Sequence, residues 1–176
     1  MSVKSLPPIV LSIIIGITST GVISSESDLI PEPILTSWKK RWDKHAKDIA
    51  EKLVDGYGAK LTAVESTKRV QFLSEMRTLF ISKISWQALG SIETPKLLLR
   101  HCGVELLESV SPYYEGKLEF DSIPEETQKR LLSCSSDVEL YVTTTPIYAL
   151  YPVAKKELGE LFKKHQIDEN LLRRKR

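Results

Sequence analysis

The sequence predicts a mainly α, single-domain bundle of about five helices. Three observations point there. The 176 residues carry 41% hydrophobic and 27% charged side chains, the balance of an ordinary globular domain. Apolar residues recur at three- and four-residue steps over most of the chain, and glycine or proline punctuates the intervals. No internal repeat or low-complexity run is present.

The amino-terminal segment reads as an address rather than part of the fold. No charged side chain occurs between Lys4 and Glu26, and Ile9 to Ile17 forms a short apolar run followed by Thr18-Ser19-Thr20-Gly21. A bilayer-spanning helix needs about 20 apolar residues, whereas a secretory core needs roughly 7–15 and ends in small residues. Residues 1–24 are therefore expected to be a signal peptide. The alternative is a retained anchor, in which case Lys39, Lys40, Arg41 and Lys44 would hold the domain in the cytosol.

Residues 25–35, punctuated by Pro31 and Pro33, read as an extended lead-in, and residues 36–167 as the helical domain. Thr36 caps a first helix through Trp38, Trp42, Ala46, Ile49 and Leu53 to Gly56. A second runs from Thr67 to Leu89, with Phe72, Met76, Leu79, Phe80 and Ile84 on one stripe and Gly90 as its stop. Thr94-Pro95 starts a third, which carries Leu98, Leu99, Cys102, Leu106 and Val110 to the Ser111-Pro112 stop, with Gly103 an anomaly at its centre.

Tyr113 to Ile123 reads as a loop or short hairpin. Pro124-Glu125-Glu126 opens a short fourth helix, with acids suited to a first turn. Val138, Leu140 and Val142 alternate before three threonines and read as a strand. Its pairing with Lys117 to Phe120 or Ala59 to Val64 would make a small two-stranded sheet, and an α+β fold the alternative. A last helix starts at Pro152 and passes through Leu158, Leu161 and Phe162. Residues 168–176 form a basic tail. Its Arg173-Arg174-Lys175-Arg176 resembles the dibasic sites cut by furin-type processing proteases.

Cys102 and Cys134 fall on apolar faces of neighbouring predicted helices, so an oxidising lumen would join them. Closing that loop would contribute roughly 3–4 kcal/mol in the chain-entropy picture. Two buried thiols are the plainer reading in a reducing compartment.

No catalytic residue is assigned. His101 beside Cys102 is a poor dyad, because adjacent helical side chains point about 100° apart. Phosphate loops, nucleophile elbows and metal-ligand spacings are absent from the sequence, so neither cofactor nor metal is expected. The net charge of +2 argues against a nucleic-acid partner.

Trp38-Lys39-Lys40-Arg41-Trp42, with Lys44, has the composition of an interfacial helix on an anionic membrane or partner surface. The competing reading puts the two indoles in a core stripe and the cations in water, and Asp43, Asp48, Glu51 and Asp55 favour it. Phe72, Met76, Phe80, Tyr148 and Tyr151 are candidates for lining an apolar pocket.

Together these features suggest a secreted or secretory-lumen binding protein that does not catalyse. It would meet a protein receptor through a helix face, or enclose an apolar small molecule or lipid. The alternative is a single-pass membrane protein with a cytosolic helical adaptor domain. The only asparagine, Asn170, is followed by Leu171-Leu172, so no N-glycosylation acceptor exists.

Overall fold

The computed structural model describes residues 25–173. It is a bundle of five α-helices with no strand among the described residues. The helices are α1 (Glu32–Lys60), α2 (Ser66–Ile84), α3 (Ser91–His101), α4 (Val104–Tyr114) and α5 (Glu125–Lys164). The signal-peptide or anchor segment, residues 1–24, lies outside the described residues, as do the last three of the basic tail. No described helix is long and apolar enough to cross a membrane.

A four-residue spacing builds the core. Ile34, Trp38, Trp42, Ala46, Ala50 and Val54 of α1 are buried, as are Phe72, Met76, Phe80 and Ile84 of α2. Steps of four keep side chains near one face of a helix, so each helix presents a continuous ridge to its neighbours. The Glu65 carboxylate accepts from the Thr67 and Lys68 amides at 2.8 and 3.0 Å, fixing where α2 starts.

Several boundaries differ from the sequence expectation. The lead-in is not extended throughout: Glu26–Leu29 is a 3-10 turn, and α1 begins at Glu32 with Pro33 in its first turn, where its missing N–H costs nothing. Helix α1 also runs past Gly56 to Lys60, because its last turn packs on α2, with Gly58 against Leu73. The helix expected to reach Leu89 breaks at Ser85, whose ψ of 163° leaves the helical region, and Trp86–Gly90 forms a separate wide turn.

The third expected helix is two. Gly103, at φ +76°, separates α3 from α4, a conformation in which a side chain would be strained. Pro112 does not stop α4, which continues to Tyr114. Tyr113 to Ile123 contains no hairpin, only the end of α4 and a 3-10 turn at Phe120–Ser122.

The largest correction concerns the expected strand. Val138 to Val142 lies inside α5, a 40-residue helix that also absorbs the short fourth helix and the one expected to begin at Pro152. At 1.5 Å per residue α5 is about 60 Å long. It packs on all four other helices. Cys134, Val138, Val142, Pro146 and Leu150 form its buried ridge, so a four-residue period dominates the local alternation. The tail is ordered at its start: Glu169–Leu172 forms a 3-10 turn, and Leu171 and Leu172 rest against the core.

Candidate functional site

The outer face of α5 is the most distinctive surface. From Leu140 to Ala154 the sequence has no charged residue, although much of this stretch faces solvent. Leu140 is 62% exposed, Ile147 51%, Tyr148 77% and Tyr151 84%, with Tyr141 exposed beside them. Their exposure follows from the ridge above, since committing one face of α5 to the core leaves the opposite face outward.

The threonines do not make this face polar. Thr143 Oγ1 donates to the carbonyls of Glu139 and Leu140, both at 2.9 Å, and Thr144 Oγ1 donates to that of Leu140 at 2.8 Å. Their hydroxyls are thus engaged within the helix. Pro146 and Pro152 lack an N–H, so the carbonyls of Val142 and Tyr148 lose their usual ladder donors.

Opposite charges close the two ends. Toward the start, Glu139 accepts from Arg41 at 3.4 Å and is hydrogen-bonded to His45 Nε2 at 2.7 Å, which ties α5 to α1. Asp137, one turn before Tyr141, stands 3.7 Å from His101 Nδ1, and the His101 ring lies 5.5 Å from that of Tyr141. Toward the end, Lys155 and Lys156 are exposed and join no ion pair among the described residues. Glu157, next along, pairs with Lys83 at 2.8 Å.

The residues singled out by sequence fall in three places. Cys102 and Cys134 come together at disulfide distance, with Cα atoms 5.1 Å apart, a pairing that fits an oxidising compartment. Trp38 and Trp42 are 1% and 0% exposed, so the core reading of that segment holds and the indoles are not available to a membrane or partner surface. Burial is the reason: Trp42 Nε1 donates to the Ile84 carbonyl at 2.7 Å, and Arg41 covers the Trp38 ring at 4.9 Å. Lys39, Lys40 and Lys44 are exposed.

The five pocket candidates are not brought together. Phe72, Met76 and Phe80 are fully buried, with Phe72 packed on Phe162 at 4.6 Å between ring centroids, while Tyr148 and Tyr151 stand on the exterior. An open groove between α2 and α5 is lined instead by Ser74, Glu75, Thr78, Leu79, Glu157, Glu160, Leu161 and Lys164.

Shifted titrations also lie away from the α5 face. The Glu75 carboxyl is held below the usual carboxylate range chiefly by its hydrogen bond from Lys164 at 2.6 Å, with His165 adding to the effect. Glu65 is lowered by the two backbone amides that it caps, and Glu115 by Lys117. Burial pushes the Tyr57 and Tyr114 phenols up. No group of three metal-ligating side chains occurs among the described residues.

No family model, curated protein or solved structure matches the chain.

Proposed function

We propose that the chain is a non-catalytic binding protein of a secretory or extracellular compartment, and that it recognises a protein partner through the outer face of α5. One observation carries the reading: a run without charge from Leu140 to Ala154, with three exposed tyrosines, on a helix whose other face is fixed in the core. Charge depletion and tyrosine enrichment mark the centres of protein interfaces, where an amphipathic ring gives large contact area at low entropic cost. The Cys102–Cys134 pair supports the compartment. Enclosure of an apolar ligand has less support, because Phe72, Met76 and Phe80 pack against the core.

The test is a photoreactive phenylalanine derivative placed at Tyr148, at Tyr151 and, as a control, at exposed Glu108, in the full chain expressed in its native source. Protein adducts at the two tyrosine positions and none at the control support the reading. Equal labelling at all three, or none at Tyr148 and Tyr151, overturns it. Intact mass of the product tells whether residues 1–24 are removed, and their retention overturns the secretory assignment.

A further inference from the structure

Resting on this reading of the α5 face, we propose that its partner is a second copy of the same chain, packed antiparallel about a two-fold axis that crosses the outer face of α5, opposite buried Pro146. A two-fold interface must be self-complementary, so that whatever residue i meets on the partner also meets i in return. Few single-helix surfaces satisfy that demand. This one does so in charge and in the order of its residues.

Asp137 and Lys155 are separated by five helical turns and so lie on one line along α5. Thr144 and Tyr148 lie near the same line, and Tyr141 and Tyr151 flank it on opposite sides. All three pairs are centred on residue 146. Running a second α5 in the opposite direction therefore sets Asp137 of each copy against Lys155 of the other, at both ends of the contact. The same operation puts Tyr141 in one layer with the second copy's Tyr151, and Thr144 in one layer with its Tyr148.

The charges select the direction. A parallel pairing would oppose Asp137 to Asp137 and Lys155 to Lys155, and like charges brought together across an interface are a strong penalty. Lys155 has no ion pair within the described chain, and Asp137 has only the 3.7 Å approach of His101. Both are exposed. Between them the stretch from Leu140 to Ala154 offers no charge to bury.

The experiment is sedimentation velocity on the chain as its native source produces it, as wild type and as Asp137→Lys, Lys155→Asp and Tyr148→Asp, with circular dichroism confirming that each variant is folded. The wild type is expected to dimerise, and each single reversal to weaken the dimer by about tenfold or more. An equimolar mixture of Asp137→Lys and Lys155→Asp chains should dimerise again, because each copy then supplies the charge that the other lacks. Tyr148→Asp should be monomeric and folded.

A wild-type chain that stays monomeric at about 100 µM overturns the proposal. So does a mixture that fails to associate when both reversals are folded and monomeric, since the register is then wrong. The photoreactive probe at Tyr148 separates this failure from that of the underlying reading. Adducts of twice the chain mass identify the second copy, whereas adducts to another protein with a monomeric wild type leave the α5 face a recognition surface for a different partner.

Discussion

The indole of Trp42 and the carbonyl of Ile84 meet at 2.7 Å with both residues fully buried, joining the middle of α1 to the last residue of α2. The last carbonyls of a helix have no intrahelical partner, and a buried one must find a donor elsewhere. Trp42 supplies it, and Gly90 makes room for the ring: a Cβ there would come within 2.7 Å of both Trp42 and Trp86.

Two substitutions test that joint. Trp42→Phe removes the donor and leaves the Ile84 carbonyl unpaired, an expected loss of about 2–3 kcal/mol. Gly90→Ala forces two indoles to shift, an expected loss of about 1–3 kcal/mol. Thermal unfolding should show both, with a midpoint lowered by about 2–4 °C for each kcal/mol. An unchanged midpoint in either variant would show that the joint yields freely.

The Cys102–Cys134 pair closes a loop with a sequence separation of 32. Its replacement by two alanines should cost about 3–4 kcal/mol in chemical denaturation. A mass shift seen only after reduction and alkylation of the native protein would confirm the bond, and alkylation without reduction would disprove it.

Acid sensitivity should be modest and have a definite sign. Glu65, Glu75 and Glu115 all have carboxyls held below their ordinary value in the folded chain. Such groups add stability that is fully present above the unfolded value, about 4.3, and lost as pH falls through the lower folded value. The unfolding midpoint should therefore drop as pH falls below about 4.3. Glu75→Gln should flatten part of that drop, and an identical slope in the variant would assign the effect elsewhere. Solvent screens these exposed groups, which keeps each contribution small.

Pro152 is exposed and sits inside α5. Pro152→Ala gives the Tyr148 carbonyl back its donor and should stabilise by about 1–2 kcal/mol after the greater freedom of the unfolded chain is counted. A destabilised variant would mean that the neighbouring turns are shaped to the ring.

How far these features could be read in advance depended on period. The stripes through Trp38 and Trp42 and through Phe72, Met76 and Phe80 were plain because four-residue spacing in a long window has one explanation. At Val138 to Val142 two periods coexist: the residues alternate, and the valines are also four apart. β-branched threonines tipped the reading toward a strand, whereas packing of α5 on four helices decided for the longer period. Pro152 reads as a helix start for the same local reason, although it lies inside α5. Tyr148 and Tyr151, candidates for an apolar pocket by composition, stand on the exterior. Their phase is the signal that places them outward once the segment is helical: Tyr148 and Tyr151 fall off the four-residue ridge through Val138, Val142, Pro146 and Leu150.

The reach of α5 has a mechanical corollary. A strut that braces every other member of a frame couples their openings. Slow amide exchange should accordingly vanish from all five helices together in one concerted opening, not in successive local frayings.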